Sequence, residues 1–173
     1  MKKIVLGSDH AGFALKQKIA AYLAQKGFEV IDVGCLDEGS VDYPAISTRL
    51  AEAVQTVQSE SPQQGHYGIL CCGSGIGVCI TVNRFPWIRA VEAHDHNTVI
   101  LSRNHNNSNV LCLGGRILAP ELALTLIETW LETPFDGGRH QKRVDMMTDM
   151  QVDNPVHHRP KGRMDAPKET PTC

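Results

Sequence analysis

Short β-branched apolar runs alternate with longer stretches of helical periodicity along most of the chain. Residues 3–7 form an apolar run ending in glycine and read as a buried strand. Residues 11–26 place Leu15, Ile19, Tyr22 and Leu23 at helical spacing, with Lys16, Lys18, Gln25 and Lys26 among the polar positions and Gly27 as the stop. A second strand is expected over 29–33, ending at Gly34, and a helix over 44–57 with Pro44 in its first turn. Residues 58–66, QSESPQQGH, read as a polar turn or surface loop. A third strand, 67–72, leads directly into Gly73-Ser74-Gly75-Ile76-Gly77 and an apolar helix. Strands over 88–93 and 109–113 flank a polar helix and the asparagine-rich loop 104–108. A helix over 120–132 carries Ala123, Ile127, Trp130 and Leu131 on one face, with Glu121 and Glu128 free to point to water.

Five strands separated by crossover helices predict an α/β fold. The sheet is expected to be parallel and doubly wound, with helices on both faces in three αβα layers. Such sheets bind ligands at the carboxyl ends of their strands, which directs attention to loops 8–12, 34–44, 72–77, 94–96 and 114–116. The domain is expected to span 1–150. Residues 151–173 hold four of the nine prolines, mixed charges and almost no large apolar residues, and read as an extended tail that builds no core.

Composition narrows the function classes. A chain of 173 residues with 42% hydrophobic and 21% charged content has enough apolar side chain for one sizeable core. Its net charge of −2 supplies no global positive field, so neither nucleic acid nor an anionic membrane is an expected partner. No apolar run approaches the roughly 18 residues needed to span a bilayer, and the apolar run 4–7 is too short for a signal segment. The protein is therefore expected in the cytoplasm. The six cysteines form no CxxC pair or metal-ligand ladder, so they are expected as free thiols. Cys79 and Cys112, inside apolar runs, read as small buried hydrophobes.

Cys72 differs from the other five. It ends a strand immediately before a glycine loop, whose successive amides suit a phosphate or an oxyanion that develops during reaction. An ordinary thiol, with a pKa of about 8.5, is only a few per cent ionised at neutral pH, and a helix N-terminus favours the thiolate. A thiolate beside a row of N–H donors is suited to taking a proton from a carbon next to a carbonyl. The alternative for this loop is a dinucleotide-binding turn, with Glu92 as the ribose-binding acid. Against it, Val78 stands where the third glycine belongs, and the loop follows the third strand, not the first. Asp9 and His10 end the first strand, on the same sheet edge as Cys72, although an aspartate there is also a natural helix cap. His94-Asp95-His96 and His157-His158 lack the second ligand pair of a structural metal site, so no metal is expected.

The motifs GSDHAGFALK (7–16), VDYP (41–44), CGSGIG (72–77), SRNHNNSNVLCLGGR (102–116) and GGRHQKRV (137–144) occur in order. In this the chain resembles the ribose-5-phosphate isomerase B family, which includes the galactose-6-phosphate isomerase subunits, over about residues 1–150. The resemblance implies a Rossmann-like five-stranded sheet and a homodimer or homotetramer whose last helix embraces the partner. It also implies an active site between subunits, with no metal or nucleotide cofactor. It assigns proton transfer to Cys72, stabilisation of an enediolate to the amides of Gly73, Ser74, Gly75 and Gly77, and a proton relay to the Ser74 hydroxyl. His105 takes the role of opening the furanose ring, with Asn106 beside it. Asp9, His10 and Tyr43 fall on substrate-contacting positions, and Arg116, Arg139 and Arg143 on phosphate-binding ones, some supplied by the neighbouring chain. Arg139 and Arg143 are four apart and share a face if their segment is helical.

The expected reaction is interconversion of D-ribose 5-phosphate and D-ribulose 5-phosphate. Its rivals are a six-carbon isomerase acting on allose or galactose 6-phosphate, a non-catalytic sugar-phosphate-binding module and a dinucleotide-dependent oxidoreductase. The loop at 58–66 and the tail 151–173 depart from the family's common core.

Overall fold

The computed structural model describes residues 2–60 and 66–152. Five parallel strands form one sheet: β1 (Lys3–Ser8), β2 (Glu29–Asp32), β3 (Tyr67–Cys72), β4 (Ala90–Glu92) and β5 (Val110–Gly114). Their order across the sheet is β2-β1-β3-β5-β4, which reverses direction between β1 and β3. Six α-helices accompany them: α1 (Phe13–Gln25), α2 (Tyr43–Glu60), α3 (Ile76–Val82), α4 (His96–Asn106), α5 (Pro120–Glu132) and α6 (Arg139–Val152). The expected Rossmann-like α/β architecture is present.

Strand alternation divides the interior into two cores. Ile4, Leu6, Ile69, Cys71, Leu111 and Leu113 point to one face, where α1 and α5 pack through Leu15, Ile19, Leu23, Ala123, Ile127 and Trp130. Val5, Leu70, Cys72, Val110 and Cys112 point to the other, beneath Ile46, Leu50 and Val54 of α2 and Val78 and Val82 of α3. With both faces covered, the central strands read as unbroken apolar runs instead of alternating ones.

Trp130 is fully buried, meets Tyr67 edge-on at 5.0 Å between ring centroids, and donates from Nε1 to Ser108 Oγ at 2.8 Å. Trp130→Ala is expected to cost about 3–5 kcal/mol of stability, read as a lower denaturation midpoint in urea.

Several boundaries differ from expectation, each for a local reason. β4 is three residues long, not the six of 88–93, because Ile88 still belongs to a turn and donates its amide to Phe85 O. Asn83 then occupies the open edge of β4: its Oδ1 accepts from the Ala90 amide and its Nδ2 donates to the Ala90 carbonyl. That side chain satisfies groups that another strand would otherwise pair with. Helix α2 continues to Glu60, three residues beyond 57, taking the start of the expected loop 58–66; residues 61–65 lie outside the described residues. The expected tail 151–173 lies outside them from 153 onward, its first two positions continuing α6.

Lys16, expected among the polar positions of its helix, is 1% exposed. Its Nζ donates to Asp32 Oδ2 at 2.7 Å and to Cys35 O at 2.6 Å, tying α1 to the end of β2. A lysine with a carboxylate and a carbonyl to bond keeps its charge satisfied inside a fold, and periodicity alone carries no sign of such partners. No helix among the described residues is long and apolar enough to cross a membrane.

Candidate active site

A cavity of about 520 Å³ opens at the carboxyl ends of β1, β3 and β5, beside the reversal of strand order. That is the place where an open α/β sheet binds ligands, and the volume suits a small metabolite. The loop after β1 supplies Asp9 and His10. Asp9 caps the short 3-10 turn His10–Gly12, its Oδ1 accepting from the Gly12 amide at 3.0 Å, and it also lines the cavity. The Val41 amide donates to His10 Nδ1 at 3.3 Å, so a neutral imidazole here carries its proton on Nε2.

The loop after β3 supplies Cys72, Gly73, Ser74 and Gly77. Gly75 turns the chain with φ of 82°, a left-handed conformation natural to glycine, and starts α3. The turn aims the Gly75 amide at Cys72 Sγ, which accepts its hydrogen bond at 3.1 Å. Among the described residues, no group accepts from the Gly73 and Ser74 amides, leaving both donors for a ligand. Tyr43, at the start of α2, covers the loop: a Cβ at position 77 would lie 2.9 Å from its Cζ, so the ring approaches this closely only over glycine. The loop after β5 is stitched to this one, with Gly115 donating to Cys72 O at 2.8 Å and Arg116 donating its amide to Gly73 O at 3.0 Å. The Arg116 side chain lines the cavity, as do Ala11 and Ile117, which the sequence did not single out.

The adjacent cysteines have opposite characters because strand neighbours face opposite sides. Cys71 points into the α1/α5 core, where burial pushes its thiol far above the ordinary range. It stays protonated and inert. Cys72, although only 4% exposed, borders the cavity with an amide on its sulfur.

The remaining expected residues lie elsewhere. His105 lies in the last turn of α4, Arg139 and Arg143 sit in the first turns of α6, and none of the three lines the Cys72 cavity. Asn106 lines a different cavity, of about 290 Å³, with Arg89, Ser102 and Met147. The segment holding the two arginines is helical, so the condition for residues four apart to share a face is met. His94 pairs with Glu92 at 3.0 Å, outside the Cys72 cavity. A cluster absent from the sequence reading is His105, Asp136 and His140, whose potential metal-ligating atoms lie within 4.8 Å of one another. The only sign of His140 in the sequence was its place between the two arginines of GGRHQKRV.

Residues 4–147 match the model of a family described as Ribose/Galactose Isomerase. The chain belongs to that family. It is 43% identical over 148 residues to ribose-5-phosphate isomerase B of Escherichia coli strain K12, covering 86% of this chain and 95% of that protein. It is also 38% identical over 146 residues to D-erythrulose-4-phosphate isomerase of Pectobacterium atrosepticum, covering 84% and 92% of the two chains. Among solved structures, ribose-5-phosphate isomerase B of Clostridium thermocellum aligns with a TM-score of 0.81 at 41% identity, over 87% of this chain and 97% of the other. The Mycoplasma genitalium enzyme with bound ribulose-5-phosphate aligns with a TM-score of 0.80 at 33% identity, over 88% and 97%. This member of the Ribose/Galactose Isomerase family is an isomerase.

Proposed function

We propose that the chain interconverts D-ribose 5-phosphate and D-ribulose 5-phosphate through an enediolate, with Cys72 as the proton-transfer base. The observation that carries the reading is the Cys72 sulfur held by the Gly75 amide at 3.1 Å on the border of a cavity that also holds the Gly73 and Ser74 amides. In the forward direction the thiolate removes the proton from C2 of the opened aldose. Negative charge moves onto O1, where the Gly73 and Ser74 amides stabilise it. The Ser74 hydroxyl relays a proton between O1 and O2, and Cys72, after trading its proton with solvent, delivers a proton to C1. His105 opens the furanose beforehand, since an imidazole exchanges protons readily near neutral pH. A base that must remain a free thiol fits a reducing cytoplasm, and Cys35, Cys71, Cys72, Cys79 and Cys112 are all free.

The working unit in this proposal is a homodimer, single or paired into a tetramer, with the site completed across the interface. Among the described residues, the Cys72 cavity holds one guanidinium, from Arg116, whereas a phosphate monoester carries about two negative charges at neutral pH. His105, Asn106, Arg139 and Arg143 then come from the neighbouring copy. Ile76 and Ile80, one helical turn apart on α3, are 53% and 63% exposed beside the glycine loop, an apolar face suited to burial against a second copy.

The pentose assignment is tested by comparing kcat/KM on ribose 5-phosphate with kcat/KM on allose and galactose 6-phosphates. Preference for the five-carbon substrate is expected. A preference of about a hundredfold for either hexose would reassign the substrate class, and tight binding of all three without turnover would point to a sensor.

A further inference from the structure

We propose that His140 is a positioning residue that holds the His105 ring in the orientation needed for ring opening, an inference that rests on the role given to His105 above. The two imidazoles are stacked face to face, with centroids 4.3 Å apart and planes 3° from parallel. His140 is 7% exposed, so a buried ring backs a half-buried one. The backbone braces the arrangement: the Asp136 amide donates to Asn104 O, next to His105, and the His140 amide donates to Gly137 O. Arg139 Nε donates to His140 Nε2 at 3.4 Å, so the neutral ring carries its proton on Nδ1.

The cluster with Asp136 has the composition of a metal site but not its geometry. Ring-nitrogen lone pairs lie in the plane of each imidazole, and two parallel planes separated by stacking distance do not converge on one ion. Arg139 occupies the Nε2 lone pair of His140 and, with Arg143, repels a cation. Burial pulls the His140 pKa down, helped by His105, Arg139 and Arg143 and opposed by Asp136. His140 thus presents a neutral flat face against which the His105 ring keeps its orientation.

Chemistry separates this role from a general structural one. Ribose 5-phosphate closes a five-membered ring and must be opened. Ribulose 5-phosphate, with its carbonyl at C2 and its C5 oxygen phosphorylated, has no hydroxyl placed to close such a ring. Exchange of its C1 hydrogen with heavy water requires Cys72 and the enediolate but no ring opening. For His140→Ala, kcat on ribose 5-phosphate at saturation is expected to fall about 10- to 100-fold. Exchange into ribulose 5-phosphate should stay within about threefold, which also shows that the variant is folded. His140→Phe, which restores a flat face, should recover most of the lost turnover.

Equal loss in both assays, no loss in either, or failure of the phenylalanine variant to recover would overturn the positioning role. His105→Asn is the control for the parent reading. If it retains full turnover of ribose 5-phosphate, the ring-opening assignment fails and this inference goes with it. Selective loss in His105→Asn combined with equal losses in His140→Ala defeats the positioning role alone.

Discussion

Cys72→Ala is expected to lower kcat by about 10²- to 10⁴-fold, the usual contribution of a positioned acid or base, while leaving substrate binding measurable by calorimetry. The phosphate-holding groups and the Gly73 and Ser74 amides remain, so the loss should fall on turnover and not on affinity. Cys72→Ser should be nearly as inactive, because a hydroxyl does not ionise where a thiol does. The neighbouring position supplies the contrast. Cys71 is fully buried against the opposite core with its thiol held protonated, so Cys71→Ala should cost stability but leave kcat within a few-fold. If both cysteine variants lost activity equally, the orientation of the strand, and not the chemistry of one sulfur, would be what matters.

The second large effect concerns the shared site. Cys72→Ala and His105→Asn homodimers should each turn over ribose 5-phosphate poorly. Dissociated, mixed in equal amounts and reassociated, they are expected to regain about a quarter of wild-type activity. Random pairing puts half the chains in hybrids, and one of the two sites in each hybrid then combines an intact Cys72 with an intact His105. Two defects in a site built from one chain would give no recovery. The experiment therefore asks directly whether His105 reaches the cavity of its own chain or that of a neighbour.

Much of this was readable in the residues. Apolar runs ending in glycine located β1 and β3, and the loop that follows β3 is the one bordering the cavity. Alternation made Cys71 and Cys72 face opposite ways once the strand was assigned. Other features depend on contacts between distant residues. The burial of Lys16 requires Asp32 and the Cys35 carbonyl to come together beneath α1, which no helical period announces. The short β4 depends on the turn in which Ile88 donates to Phe85 O, and on Asn83 folding back to close its open edge at Ala90. The separation of His105, Arg139 and Arg143 from Cys72 is likewise tertiary: α4 and α6 carry them to another part of the chain's surface, a fact that motif order does not contain. The stacking of His140 on His105 arises from the same packing of α6 against α4.

Isomerisation at Cys72 requires carbon-to-carbon movement of a proton through a base that exchanges with solvent. Turnover of D-ribose 5-phosphate in heavy water, followed by NMR of the ketose formed, measures that movement. Deuterium bound to C1 of ribulose 5-phosphate is the predicted result. Complete retention of the original C2 hydrogen at C1, with no label from solvent, would contradict an enediolate formed at Cys72.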